Sequence, residues 1–144
     1  MPEPAQINAQ QVLANFPSGG IKGRNLSIPT VNGRGILIKE SIYELKWDGR
    51  DYKRGDLKGE IEWALSVKRL GSGKYSLTDR NGSKFTVNQW VVQPPGGGQP
   101  VTHAKAVLEN AFVDGVRGDY RITAYGVTDH QVRFSYSITV SQRR

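Results

Sequence analysis

The stretch that decides the fold is "HQVRFSYSITVSQ", residues 130–142, because its apolar and polar side chains alternate without a fault. The apolar positions are Val132, Phe134, Tyr136, Ile138 and Val140. Arginine, serine and threonine occupy the positions between them. Successive side chains of a strand point to opposite faces of its sheet, so this pattern predicts a strand with one buried and one solvated face. Such strands are typical of antiparallel sheets.

The same strand pattern recurs upstream of this stretch. The further predicted strands are "GILIKE" (35–40), "IYELKW" (42–47), "EIEWALSVKRL" (60–70), "KYSLTD" (74–79), "KFTVNQWVV" (84–92) and "DYRITAYGV" (119–127). In the third of these, the side chains on one face are Ile61, Trp63, Leu65 and Val67. Asn81-Gly82 predicts a tight hairpin turn between the two strands that flank it. Each apolar face needs a second layer to cover it, so we expect a mainly β chain, an antiparallel β-sandwich or a jelly-roll-like barrel.

The chain divides into two predicted parts. Residues 1–33 contain one stretch with helical spacing and many turn formers, so we interpret them as an N-terminal arm that carries a short helix. The apolar face of that helix consists of Ile7, Val12, Leu13 and Phe16. Residues 34–144 form a single β-domain. It is interrupted at 93–100 by "QPPGGGQP", which cannot continue a strand and is expected to be a loop or a linker.

The segment 102–112, "THAKAVLENAF", fits two structures. Ala104, Val107, Leu108 and Ala111 follow helical spacing, and Thr102 could cap the helix. The following Phe112-Val113 favours a strand. We favour the helix and keep the strand as the alternative.

Composition excludes several chemistries. Cysteine is absent, so there are no disulfides, zinc fingers, iron–sulfur clusters or thiol catalysis. The two histidines, His103 and His130, have no spacing typical of a metal site or a catalytic pair, so we expect no enzyme activity, no metal and no cofactor. The N-terminus has no charged leader and no apolar core of a secretory signal, and no apolar run is long enough to span a membrane. The compartment stays unknown.

The stretch "DGVRGDYRITAYGVTDHQVRFSYSITV", residues 114–140, resembles the last two strands of an immunoglobulin-like domain. In such domains a turn containing Asp and Gly precedes a tyrosine at the start of the penultimate strand, and Tyr120 occupies that position. The resemblance implies that Tyr120 is a corner tyrosine. Ile122 stands where immunoglobulins carry a disulfide cysteine. The resemblance implies a β-sandwich and no particular function.

The tripeptide Arg-Gly-Asp, which integrin ligands present to their receptors, occurs at residues 54–56 and again at 117–119. Glycine permits positive φ angles and aspartate bonds to its own backbone, so both copies are explained by turns. The second copy leads into Tyr120. The first lies in a predicted loop and is the better candidate for contact with a partner.

Aromatic and cationic side chains interleave around the first copy. The predicted binding residues there are Trp47, Arg50, Tyr52, Lys53 and Arg54. Proteins that bind single-stranded nucleic acid combine such residues on β-barrels. Three nearby acidic residues, Asp48, Asp51 and Asp56, would repel phosphates. The net charge of +7 is spread along the chain, which is weaker evidence for a polyanion ligand than a basic stripe.

A small β-domain without catalytic groups acts by docking. We therefore expect a non-enzymatic structural protein of a multi-subunit assembly, with other protein subunits as partners; a homo-oligomer is one form that such an assembly could take. The hypothesis places it in a virion as a phage or virus capsid decoration, cement or connector protein that binds through residues 1–33 and the 93–100 loop. The alternatives are a β-barrel that binds single-stranded nucleic acid or another polyanion, and a carbohydrate or cell-surface binding module.

Overall fold

The computed structural model describes residues 9–143 and shows a mainly β protein with a short helix near its N-terminus. The helix is α1, Ala9–Asn15, and the strands are β1 Gly20–Lys22, β2 Asn25–Val31, β3 Leu37–Trp47, β4 Tyr52–Glu62, β5 Leu65–Gly71, β6 Lys74–Asp79, β7 Phe85–Gln93, β8 Val101–His103, β9 Gly118–Thr128 and β10 Arg133–Gln142. The predicted fold class, with antiparallel sheets and a short N-terminal helix, is confirmed.

Within residues 9–143, the strands form two four-stranded antiparallel sheets and one hairpin. The first sheet has the order β1-β2-β3-β4, and the second has the order β10-β9-β7-β8. Strands β5 and β6 form the hairpin. The arrangement is sandwich-like because the apolar faces of the second sheet and of the hairpin share one core.

Two apolar clusters lie in these layers. The larger contains Leu37, Trp63, Leu65, Tyr75, Leu77, Val87, Trp90, Val92, Leu108, Ala111, Tyr120, Ile122, Ala124 and Phe134. The smaller cluster consists of Val12 from α1 with Leu26, Leu45 and Tyr52 from the first sheet. The helix therefore covers one face of the first sheet, and its apolar face belongs to the interior.

A buried polar contact surrounds Glu40 of β3, whose side chain is fully buried. Its Oε2 accepts a hydrogen bond of 2.6 Å from Oγ of Ser27, and its Oε1 accepts one of 2.8 Å from Nε1 of Trp63. Ser27 lies on β2, and Trp63 lies in the connection between β4 and β5. A buried polar group without partners is costly, so these donors explain how the first sheet tolerates an acidic residue in its interior.

The predicted N-terminal arm needs correction. Residues 20–31 are not an irregular segment, because β1 and β2 pair with each other and β2 pairs with β3 from Asn25↔Glu44 to Val31↔Leu37. Pro29 interrupts the alternation of apolar and polar side chains in β2. This proline lies where β2 has β3 on one side and no longer pairs with β1 on the other, the kind of edge position that tolerates proline.

The favoured helix over 102–112 is wrong. Val101–His103 is strand β8, and the chain from residue 104 to 117 is irregular. The apolar residues with helical spacing are held by contacts distant in sequence. Leu108 and Tyr75 of β6 exchange two backbone hydrogen bonds of 2.9 Å, and Ala111 N–H donates to the carbonyl of Gly73 at 2.8 Å. These contacts replace the local hydrogen bonds of a helix.

Two predicted boundaries between strands also need correction. Asn81-Gly82 does not close a hairpin, because β6 pairs with β5 and β7 pairs with β8 and β9. The Asn81 side chain instead donates a hydrogen bond of 2.9 Å to the carbonyl of Glu62. The predicted strand over residues 60–70 is interrupted after Glu62, where β4 of the first sheet ends and the chain crosses to β5.

The 93–100 segment is a loop that connects the paired strands β7 and β8. It is not a linker between two halves of the chain.

The likeness to an immunoglobulin-like domain is local. The hydroxyl of Tyr120 donates a hydrogen bond of 2.6 Å to the carbonyl of Val116 and accepts one of 3.1 Å from the N–H of Val113, which is the bonding expected of a corner tyrosine. Strands β7, β9 and β10 lie in the order of strands C, F and G. Along the chain, however, only β8 separates β7 from β9, and β8 pairs with β7 in the same sheet. The overall topology therefore differs from the immunoglobulin arrangement.

Candidate functional site

The predicted binding residues around Trp47 come together at the tip of the β3–β4 hairpin. Trp47 ends β3 and pairs with Tyr52, the first residue of β4. Their rings make an edge-to-face contact with centroids 5.0 Å apart. Tyr52 is buried and belongs to the cluster that packs under α1, and Trp47 is half-buried. Both aromatic side chains therefore hold the hairpin on the body of the protein, and neither is a free platform for a base or a sugar.

The charged side chains of this hairpin form ion pairs with one another. Lys53 Nζ lies 3.1 Å from Asp48 Oδ2, Lys46 Nζ lies 3.8 Å from Asp56 Oδ2, and Lys58 Nζ lies 3.8 Å from Glu44 Oε2. The guanidinium of Arg54 lies 4.8 Å from the ring centroid of Tyr43, within reach of a cation–π contact. The acidic partners of Lys46, Lys53 and Lys58 offset much of the local positive charge.

Asp48 organises the turn at the hairpin tip. Its Oδ1 accepts hydrogen bonds from the backbone N–H groups of Asp51 at 2.7 Å and Arg50 at 2.8 Å. The pKa of Asp48 is lowered from 3.8 to about 2. The largest cause is the hydrogen bond from the backbone of Asp51, followed by the hydrogen bonds from Lys53 and from the backbone of Arg50. The carboxylate is exposed, so its bonds specify a tight turn at the surface rather than a buried reactive group.

The first Arg-Gly-Asp copy lies in strand β4, and the predicted loop is wrong. Leu45 pairs with Arg54 and Tyr43 pairs with Leu57, so Gly55 and Asp56 form a bulge opposite the single residue Glu44. A Cβ atom at Gly55 would lie 3.0 Å from the carbonyl oxygen of Glu44, which explains the glycine. The second copy lies at the start of β9, where Gly118 has a φ of +124°.

The predicted docking face of α1 is part of the interior. Val12 is fully buried, and Phe16 packs against the same cluster. Leu13 is half-buried. Ile7 lies outside the described residues. Val12 and Phe16, which the sequence assigned to a partner, are therefore occupied within the chain itself.

Strand edges are the other surface at which a β-protein can bind a partner, because each free edge presents unpaired N–H and C=O groups. In the described part of the chain, β1 and β8 at two of the sheet edges are only three residues long. Strand β4 has its bulge and the charged residues Lys53, Arg54, Asp56, Lys58, Glu60 and Glu62. In the hairpin, β5 carries Lys68 and Arg69, and β6 is bridged to Leu108. Short length, bulges and charges all oppose pairing with another chain.

From Phe134 onward, strand β10 lacks these protections. It is ten residues long, and its segment Phe134–Gln142 contains no charged residue, proline or glycine. It pairs with β9 from Arg133↔Val127 to Gln142↔Gly118 without a bulge, and within residues 9–143 no strand pairs with its other edge. A long, regular and uncharged free edge is the feature that favours addition of a further strand.

The inner face of β10 is also incompletely covered. Its neighbour β9 contributes Tyr120, Ile122 and Ala124 to the core, and all three are fully buried. On β10, Tyr136 and Ile138 pack against the same core but remain half-exposed. An added strand would cover apolar surface in addition to forming hydrogen bonds. Strand β10 is therefore the candidate functional site.

A groove of about 320 Å³ adjoins the start of this strand. Pro29, Val31 and Leu37 of the first sheet line one side, and Tyr125 and Phe134 of the second line the other. Val31 is 54% exposed and Tyr125 is 42% exposed. The apolar surface at this end of β10 therefore continues onto the first sheet.

The alternation in residues 130–142 predicted β10 correctly as a strand, but sequence reasoning missed the site there. The available signal was the uncharged run from residue 134 to 142. Whether that run lies at an edge depends on the order of strands in the sheet, which local alternation does not contain.

Within the described residues, no three or more acidic, histidine or cysteine side chains are grouped so that they could hold a metal ion. Among residues 9–143, no helix is both long and apolar enough to span a membrane. Comparison of the chain with protein-family models, curated proteins and solved structures finds no match.

Proposed function

We propose that the protein is a non-enzymatic structural subunit of a multi-subunit assembly and that it docks on other protein subunits along β10. The observation that supports this proposal is the contrast among the strand edges. In the described chain the other sheet-edge strands are short, bulged or charged, whereas β10 is long, regular and uncharged from Phe134 to Gln142. Main-chain pairing at such an edge binds without any catalytic group.

The setting that we propose is the shell of a phage or virus, in which the chain would be a decoration, cement or connector protein located in the virion. Those roles require contacts between subunits and no chemistry. This docking strand differs from residues 1–33 and the 93–100 loop, through which the sequence suggested binding. Val12 and Phe16 of α1 are already occupied inside the chain.

Site-specific photo-cross-linking in extracts of cells that contain the assembled protein tests the docking role. A photoreactive amino acid at Thr139, exposed on β10, is expected to form a cross-link to another protein subunit. The matched control is the same amino acid at Glu60, exposed on the charged edge strand β4, from which we expect no cross-link. A chain that sediments alone at 15.9 kDa and forms no cross-link from residue 139 would contradict the proposal.

Binding of a polyanion is the alternative function. The ion pairs of Lys46, Lys53 and Lys58 with acidic neighbours count against it, because those cations are partly neutralised. Salt-dependent binding of an oligonucleotide that is lost in Arg54→Glu would favour this alternative.

A further inference from the structure

We propose that the partner of β10 is β10 of a second copy of this chain. The two strands pair antiparallel about a two-fold axis, and the two four-stranded sheets become one sheet of eight strands. This inference rests on the proposed docking role of β10 and names the occupant of its free edge. A two-fold interface places the same surface of both chains in contact, so the strand must be complementary to itself.

The sequence of β10 has this self-complementarity when the pairing is centred on Ser137. Apolar residues then lie opposite apolar ones on the inner face: Phe134 faces Val140 of the second copy, and Tyr136 faces Ile138. Pairs of aromatic and β-branched side chains stabilise antiparallel strands. The half-exposed Tyr136 and Ile138 would then be covered on both chains.

The outer face matches in the same register. Ser135 lies opposite Thr139 of the second copy, and hydroxyl side chains form favourable cross-strand pairs. Arg133 lies opposite Ser141, so no two like charges meet. Both faces of each sheet therefore continue across the interface with the same polarity.

The neighbouring registers fit less well. Only residues of the same parity can face each other at this edge, because the backbone groups of a strand alternate between its two sides. Centring the pair on Ile138 places Arg133 opposite Arg143 of the second copy, and like charges directly opposite are destabilising. Centring it on Tyr136 pairs only residues 133–139 of each strand, whereas the Ser137 register pairs residues 133–141.

A pair of charge-reversed variants tests the proposal. One variant carries Ser135→Lys with Thr139→Lys, and the other carries Ser135→Glu with Thr139→Glu. In the Ser137 register each homodimer brings like charges opposite one another, whereas a mixed dimer brings lysine opposite glutamate. Ser137 is left unchanged because its hydroxyl lies 2.7 Å from that of Thr123 on β9.

Sedimentation equilibrium of the full chain provides the measurement. We expect the wild-type protein to approach twice the 15.9 kDa of one chain, each variant to fall to the mass of one chain, and an equimolar mixture of the two to regain the dimer mass. Thr86→Lys with Asn88→Lys adds the same charge to exposed positions of β7, which β9 separates from β10, and is expected to remain dimeric. Near-ultraviolet circular dichroism verifies that each variant is folded.

Three outcomes would overturn the inference: a wild-type chain that stays monomeric at every concentration, variants that remain dimeric, or a mixture that does not recover the dimer. A chain that is monomeric alone but forms a cross-link from residue 139 to a different protein would overturn the second copy as partner and leave the proposed function standing. A monomer without any such cross-link would overturn both.

Discussion

Oγ1 of Thr128, on β9 of the second sheet, donates a hydrogen bond of 2.9 Å to Oε2 of Glu40, on β3 of the first sheet. The two residues are 88 positions apart in the chain, and both are buried. Thr128 Oγ1 in turn accepts a hydrogen bond of 3.2 Å from the backbone N–H of Val132, just before β10. One carboxyl group therefore connects the first sheet to the turn that sets the position of the candidate docking strand.

Replacing Glu40 is expected to destabilise the fold strongly. Glu40→Ala removes the acceptor of three buried donors, those of Ser27, Trp63 and Thr128, and leaves a cavity. Each buried donor left without a partner costs about 1–3 kcal/mol, so we expect a loss of at least 3 kcal/mol in the free energy of unfolding. Urea unfolding measures it. Glu62→Ala, at an exposed position of β4, should change stability by less than about 0.5 kcal/mol. Equal stability of the two variants would refute this role of Glu40.

The corner hydrogen bonds of Tyr120 are also expected to contribute to the free energy of unfolding. Tyr120→Phe removes the hydroxyl that bonds to Val116 and Val113 and should lower the free energy of unfolding by about 1–3 kcal/mol. Tyr125→Phe, on the same strand but 42% exposed, is the matched control and should be nearly neutral. Thermal and urea unfolding of both variants measure the difference. A Tyr120→Phe protein as stable as the control would show that the hydrogen bonds of the Tyr120 hydroxyl contribute nothing to stability.

Strand β1 should be intolerant of a side chain at Gly20. A Cβ atom there would lie 2.5 Å from the backbone of His130 and Gln131, in the turn between β9 and β10. Gly20→Ala must displace one of these segments, at a cost of about 1–3 kcal/mol. Gly59→Ala is the control, because a Cβ atom at Gly59 meets nothing within 4 Å. Unfolding midpoints in urea distinguish the two, and equal midpoints would show that β1 does not pack on this turn.

The turn at Asp48 predicts a pH dependence at low pH. Because the pKa of Asp48 is about 2 in the folded protein and 3.8 without its partners, folding favours the ionised form. Its contribution to stability is complete above pH 4 and is lost as the pH falls through about 2. Asp48→Asn should remove this part of the acid sensitivity, as measured by unfolding between pH 5 and 2.

The same carboxyl group can be titrated by NMR. Lys53→Ala should raise the pKa of Asp48 only part of the way to 3.8, since the backbone bond from Asp51 is the largest cause of the shift. Lys46→Ala, whose partner is Asp56, should leave the Asp48 titration unchanged. A titration midpoint of Asp48 near 3.8 in the wild-type protein would contradict the turn geometry.

Much of the fold could be predicted because the relevant information was local. Apolar and polar residues alternate from Asp119 to Ala124 in β9 and from Arg133 to Ser141 in β10, and a strand with that pattern has one face to bury wherever it lies in a sheet. The errors occurred where contacts distant in sequence decide the structure. Leu108 bonds to Tyr75 rather than to its own neighbours, and Asn81 bonds to Glu62, so a segment with helical spacing and a typical hairpin turn both adopt other structures.

The candidate site was less predictable than the fold. Trp47, Arg50, Tyr52, Lys53 and Arg54 do lie together at one hairpin tip, as their proximity in sequence required. Their burial and pairing depend on the other strands. Tyr52 is covered because α1 packs over the first sheet, which no local pattern around residue 52 indicates. The edge position of β10 likewise follows from the strand order β10-β9-β7-β8.

Residue-resolved amide hydrogen exchange tests most directly whether β10 is a docking strand. In β10 the amides that do not bond to β9 point away from the sheet, and the outward amides of the charged edge strand β4 provide an internal reference. In the assembled protein, we expect the outward amides of β10 to exchange far more slowly than those of β4 and to lose this protection when Ser135→Lys and Thr139→Lys are introduced together. Equally fast exchange at the two edges in the assembled wild-type protein would contradict it.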